Sequence, residues 1–210
     1  FNKYIDHENK TNRIFFSRNK KILFNNKIFL GQNINPTIND KKIKNEFKSI
    51  VFEKCFSSPL KRCIETAKLI TDKNKITSNN YLKEINYGNA EGLSYRLLKK
   101  KYPIIIKKWN EGKDPKFPNG ESTSDVCIRL NKFIKKELNL NKIRNTQNLL
   151  VITHNVFLRC LVGKLFNINL NEWYKININY FDLIETKLIG NVLLPNIQRK
   201  KFLSLFKNFI

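Results

Sequence analysis

The segment Asn148-Leu-Leu-Val-Ile-Thr153 constrains the fold of this chain more than any other stretch. Its run of four apolar residues needs cover on both faces of an extended strand, which is the condition of a central strand in a parallel sheet. It continues through His154-Asn155 directly into an apolar stretch, 156–166, that reads as a helix. The same alternation recurs along the chain. Arg13-Ile-Phe-Phe-Ser17 and residues 54–57 read as short buried strands. After the second, Ser58 is expected to cap a helix with Pro59 at its first position. Leu60, Cys63, Ile64, Ala67 and Ile70 then lie along one buried face.

Ile43, Phe47 and Ile50 stand at helical spacing within 38–51. Residues 93–110 also read as helical, with Pro103 ending or kinking the run. A loop over 112–120 precedes a longer helix whose stripe is Val126, Leu130, Phe133, Ile134 and Leu138, and 178–194 suggests two final strands. The alternation predicts an α/β protein, a three-layer α/β/α sandwich around a largely parallel sheet. The expected organisation is a polar N-terminal arm, 1–12, followed by a single domain over 13–210.

Composition narrows the function classes. With 41% apolar residues in a chain of 210, wholesale disorder is excluded and one sizeable core is available. No apolar run approaches the roughly 20 residues of a membrane helix, and the first residues lack an apolar signal core. The expectation is a soluble, cytoplasmic protein without a membrane partner. The absence of Met suggests that the chain does not begin at its natural start. Cys55, Cys63, Cys127 and Cys160 are scattered in apolar stretches, as buried small hydrophobes are. With only two histidines, His7 and His154, no metal site is expected.

The net charge of +23 favours acidic partners, nucleic acid and phosphorylated substrates among them. Lys, Asn, Ile and Phe dominate the chain, however, and all have AT-rich codons. Compositional drift therefore supplies lysines without any ligand. No nucleic-acid motif accompanies them, so no specific nucleic-acid partner is expected.

In parallel sheets ligands bind at the carboxyl ends of the strands. Arg18, Ser57-Ser58 and His154 all fall there. Two arginine forks, Arg18 and Arg62, beside a helix N-terminus would receive a phosphate dianion, and Glu84 is placed in a loop as a proton donor.

These residues sit in motifs that resemble those of the histidine phosphatases, the phosphoglycerate mutase-like superfamily. Ser57-Ser-Pro-Leu-Lys-Arg-Cys-Ile-Glu-Thr-Ala67 resembles the family's S-S-P-L-x-R-x-x-x-T-A. Glu84-Ile-Asn-Tyr-Gly-Asn-Ala-Glu-Gly92 is similar to E-I-x-x-G-x-x-E-G, Phe117-Pro-Asn-Gly-Glu-Ser122 to P-x-G-E-S, and Val151-Ile-Thr-His-Asn155 to V-x-T-H. The resemblance runs from about Arg13 to about Glu185. It implies a phosphoglycerate mutase-like fold and transfer of a phosphoryl group through a phosphohistidine, without a cofactor. By position, Arg18 and Arg62 would hold the phosphate with His154, and Glu84 would protonate the leaving oxygen. Asn25, with Gly31-Gln32 downstream, would match the Asn of the family's opening R-H-G-E-T-x-x-N.

That opening motif is altered. With Arg18 and Asn25 in register, Asn19 stands where the nucleophilic histidine belongs, and Lys20, Lys21 and Ile22 replace G-E-T. An amide nitrogen is not nucleophilic, because its lone pair is delocalised into the carbonyl. Placing His7 there instead loses Asn25, Gly31 and Gln32 together. The expected function is binding, and any surviving hydrolysis, of a small phosphomonoester of the sugar-phosphate type. The alternative is a degenerate member that binds a phosphorylated metabolite without turnover; a nucleic-acid binder ranks last, and mutase activity is disfavoured.

Overall fold

The computed structural model describes residues 12–22, 27–143 and 148–196. The assigned arm lies outside these residues except for Asn12, which begins the first strand. Six strands form one sheet: β1 (Asn12–Arg18), β2 (Lys54–Ser57), β3 (Ile76–Ser78), β4 (Asn148–Thr153), β5 (Leu183–Ile189) and β6 (Val192–Pro195). Their order is β3-β2-β4-β1-β5-β6. The first four run parallel, whereas β5 is antiparallel to both β1 and β6.

β4 is central, as its two-sided apolar character requires. Leu149 and Val151 join Ile14 and Phe16 of β1 on one face, against Phe133 of helix α5 (Thr123–Glu137) and Phe157 and Leu161 of α7 (Asn155–Leu165). Leu150 and Ile152 join Phe15 on the other face, against Cys63 and Ala67 of α2 (Lys61–Ile70). Helices thus cover both faces, giving the three layers expected.

Two local expectations are corrected. The 38–51 stretch is helical for one turn only, α1 (Asn45–Lys48). Upstream of it the backbone bonds elsewhere: Ile38 bridges Ile22, and its N–H donates to the Glu65 carboxylate at 2.9 Å. The apolar spacing still buries Phe47, stacked 4.2 Å from the Phe181 ring. Helix α2 starts at Lys61, two residues later than Pro59. Ser58 Oγ accepts from the Leu60 N–H at 3.3 Å, and the amide oxygen of Asn35 accepts from the Lys61 N–H at 2.8 Å. A distant side chain therefore satisfies a helix-end donor that sequence patterning assigns to a local cap.

Pro103 divides the next helical region into α3 (Tyr95–Lys101) and α4 (Pro103–Asn110), with the proline at the first position of α4. A short α6 (Leu140–Ile143) follows α5. Gly88 has φ of +52°, and a Cβ there would stand 2.1 Å from the Pro118 carbonyl oxygen. The two motif loops, 84–92 and 117–122, can approach this closely only at a glycine. Among the described residues, no helix is long and apolar enough to cross a membrane.

Candidate active site

Parallel register gathers the site. Arg18 pairs with Thr153 and Ser57 with Ile152, so the ends of β1, β2 and β4 finish level. The Asn19 N–H then donates to the Thr153 carbonyl at 3.0 Å, one residue before His154. Asn19 is 4% exposed, and its side-chain amide donates to the Lys20 carbonyl at 2.7 Å.

Arg62, in the first turn of α2, is 2% exposed. Its Nη2 donates to the Gly31 carbonyl at 2.8 Å, Nη1 to the Ile34 carbonyl at 3.3 Å, and Nε to His154 Nδ1 at 3.2 Å. A guanidinium only donates, so Nδ1 is an acceptor. The proton of the neutral ring then sits on Nε2, which faces Ser58 Oγ at 2.8 Å. Burial first, and then the charges of Arg62, Arg129 and Arg18, hold the His154 pKa well below the usual imidazole range. The Cys63 sulfur lies 3.3 Å from Nε2, but burial pushes its thiol pKa far up, so it is a packing neighbour in its neutral form.

Glu84 is held from α7. Its carboxylate accepts from the N–H groups of Asn155 and Val156, each at 3.1 Å, and from that of Ile85 at 3.0 Å. Burial raises its pKa, against the pull of these amides and of Arg62 and Arg18. Asn155 Oδ1 is buried and has no hydrogen-bond partner among the described residues.

Arg18 is turned to the loop before β5. Its Nη1 donates to the Ile178 carbonyl at 2.5 Å, and its guanidinium carbon lies 3.8 Å from the centre of the Tyr180 ring. Burial lowers its pKa, while the carboxylates of Glu84 and Asp182 oppose that shift. Its charge reaches both Glu84 and His154. Two residues of the altered motif turn elsewhere. Lys20 directs its ammonium to Asp40 at 2.8 Å, to the Lys42 carbonyl and over the Phe181 ring. Lys21 is exposed.

The structure thus brings Asn19, Arg62, Glu84 and His154 together, with Arg18 at the margin. Asn25 and His7 lie outside the described residues. Sequence reasoning assigned no part to the groups that hold this arrangement. Glu91, inside a quoted motif, accepts the N–H groups of Gly31, Gln32, Asn33 and Ile34 at 2.7–3.2 Å, fixing the loop that Arg62 also grips. Glu121, inside another, forms a two-pronged pair with Arg129 at 2.7 and 2.9 Å. Arg129 in turn donates to the carbonyls of Tyr81, Lys83 and Glu84. Their fixed places in the quoted motifs are the signal that could have found Glu91 and Glu121. Ser58 reads from sequence as a helix cap at a strand end, with nothing to mark it as the partner of His154, and nothing local marks Arg129 or Tyr180.

Beside Glu84 is a cavity of about 720 Å³, lined by Phe29, Tyr87, Trp109, Phe117, Trp173 and Arg159 among others. Ile85 and Val156, whose amides hold the Glu84 carboxylate, also line it. No group of three or more His, Cys, Asp or Glu residues among the described ones could hold a metal ion.

A family model, the histidine phosphatase superfamily (branch 1), matches residues 40–191. The chain belongs to this family. The match begins after Arg18 and Asn19. Among characterised relatives, fructose-2,6-bisphosphatase of Saccharomyces cerevisiae is 29% identical over 138 residues, 64% of this chain and 29% of that protein. The 2,3-bisphosphoglycerate-dependent phosphoglycerate mutase of Cytophaga hutchinsonii is 28% identical over 123 residues, 56% of this chain and 57% of that one. The chain thus spans less than two thirds of the length of these relatives. The crystal structure of a putative alpha-ribazole-5'-P phosphatase from Escherichia coli superposes with a TM-score of 0.74 at 18% identity, over 89% of this chain and 95% of that one. At that identity the shared property is the fold.

Proposed function

We propose that this protein binds a small phosphomonoester at the ends of β1, β2 and β4, and does not turn it over through a phosphohistidine. The observation that carries the second half is Asn19. Strand register fixes it beside Thr153-His154, and its side-chain nitrogen is a donor bonded to a backbone carbonyl. It offers no lone pair to phosphorus.

The binding half rests on charge and free donors. Of the five N–H groups of a guanidinium, Arg62 engages three and Arg18 engages one among the described residues. The remainder are permanently charged donors for phosphate oxygens. Glu84, with its pKa raised by burial, carries a proton further toward neutral pH than an exposed glutamate does. It would deliver that proton to the leaving oxygen as the P–O bond breaks. With Asn19 in place, direct attack by water is left as the hydrolytic route. Removing a covalent nucleophile commonly costs several orders of magnitude in rate.

A ligand that binds only the folded state raises its melting temperature, by about 2.7 kcal/mol of stability at a hundredfold excess over Kd. Thermal scans with inorganic phosphate are expected to show a rising Tm, diminished in Arg18→Ala. A Tm that ignores phosphate, or rises equally in the variant, refutes the binding site.

A further inference from the structure

The phosphate ends of such esters are alike; the organic group distinguishes them. Resting on the phosphomonoester reading above, we propose that the cavity beside Glu84 seats that organic group, and that the group is an aromatic or other flat apolar ring system. A sugar phosphate, the type expected from sequence, is a poorer match.

Position is the first argument. The cavity is walled by Ile85 and Val156, two of the three residues whose amides grip the Glu84 carboxylate. Tyr87 and Arg159 of the lining also lie within electrostatic reach of both Glu84 and Arg18. An ester whose bridging oxygen meets Glu84, with its phosphorus toward Arg18 and Arg62, must send its carbon skeleton past these residues.

The second argument is the chemistry of the wall. Phe29, Tyr87, Trp109 and Phe117 form a mutually packed set, with Tyr87 and Phe117 edge to face at 4.9 Å and Trp109 and Phe117 at 5.5 Å. Rings already locked against one another present a rigid surface and lose little freedom when a ligand arrives. Trp173 and the exposed Tyr95 and Tyr174 add three further rings to the lining. A polyol would have to surrender its hydration to such faces without recovering its hydrogen bonds. A flat ring gains apolar burial and ring-to-ring contact. Polar side chains at Asn110, Thr123 and Asn171 also line the cavity, but two of its charged groups are engaged: the Asp114 carboxylate accepts from the N–H groups of Thr123 and Ser124 and from the Ser124 hydroxyl, and Lys113 pairs with Glu111. Arg159, tied by Nε to the Ile176 carbonyl at 2.9 Å, supplies a cation of the kind that stacks on aromatic rings. At about 720 Å³ the cavity is of ordinary ligand size.

The test is binding, read by tryptophan fluorescence and calorimetry, because turnover is not required. Probes are 1-naphthyl phosphate, glycerol 3-phosphate, inorganic phosphate and 1-naphthol. The expected result is 1-naphthyl phosphate at least about tenfold tighter than glycerol 3-phosphate, a margin of about 1.4 kcal/mol. Trp109→Ala and the rim variant Tyr174→Ala should each narrow that margin and leave inorganic phosphate unchanged. Equal affinity for the two esters, or a margin that both variants retain, overturns the cavity assignment while phosphate binding stands. If inorganic phosphate fails to bind but 1-naphthol binds and is lost in Trp109→Ala, the cavity stands and the phosphate site falls. If neither binds, both fall.

Discussion

Replacing Arg62 by Ala is expected to weaken the fold before it reports on any ligand. The side chain is 2% exposed, and its loss orphans three acceptors: the carbonyls of Gly31 and Ile34, and Nδ1 of His154. Each unsatisfied buried acceptor costs about 1–3 kcal/mol. The Ile34 contact, at 3.3 Å and part-buried, belongs at the bottom of that range. Removing the guanidinium also removes the cost of having buried it, which offsets part of the loss. The net expectation is about 3–5 kcal/mol, a large share of a typical 5–15 kcal/mol of stability. Urea unfolding of wild type, Arg62→Ala and the bulkier Arg62→Met measures it, the last separating lost packing from lost bonds. A second readout is specific to the contact with His154. Arg62 is the leading charge holding that imidazole neutral, so the His154 pKa should move up toward the ordinary range in both variants. With two histidines in the chain, their NMR titration is readily assigned. A loss below about 1 kcal/mol, less than one orphaned buried acceptor should cost, together with an unmoved His154, would refute the placement of Arg62 as the tie between the loop at 31–34 and β4.

Glu84 has a folded pKa above its unfolded one, so its contribution to stability is present at low pH and is lost as pH rises through the folded value. Glu84→Gln, which cannot ionise, should therefore gain ground on wild type as pH rises above the ordinary carboxylate range; a difference in unfolding free energy that is flat with pH contradicts the shift. At Gly163 in α7, a Cβ would stand 2.2 Å from the Trp173 ring. Gly163→Ala should cost about 1–3 kcal/mol in urea unfolding and alter tryptophan fluorescence, and a variant of wild-type stability would show that the ring is not packed there.

The layers were legible because they follow from periodicity. The two-sided apolar run at 148–153 fixes β4 at the centre, and Pro103 divides two helices whatever surrounds it. Failures came where distant groups decide. The 38–51 spacing buries Phe47 without a long helix, since the Glu65 carboxylate takes the Ile38 N–H and the Lys21 carbonyl takes the Asn39 N–H. The start of α2 is set by Asn35, 26 residues away. The site was legible to the same extent. Motif spacing flagged Arg18, Arg62, Glu84 and His154, but residue types alone did not show that Arg62 bonds to His154 or that Arg18 turns to Ile178 and Tyr180. Sequence shows Lys20 only as a replacement for the motif's Gly; the structure gives its ammonium Asp40 and the Lys42 carbonyl as partners.

The central claim is that Asn19 alone separates this site from phosphohistidine chemistry, and Asn19→His measures it most directly. The variant puts an imidazole one residue after Arg18, with Arg62, Glu84 and His154 already gathered, and Lys20 needs no change because its ammonium is engaged elsewhere. Hydrolysis of p-nitrophenyl phosphate should be slow in wild type, with no phosphoenzyme trapped. Asn19→His should raise the rate markedly and yield an acid-labile, base-stable phosphoenzyme. A wild-type protein that already matches the variant in rate, or that itself traps phosphohistidine, would contradict the account.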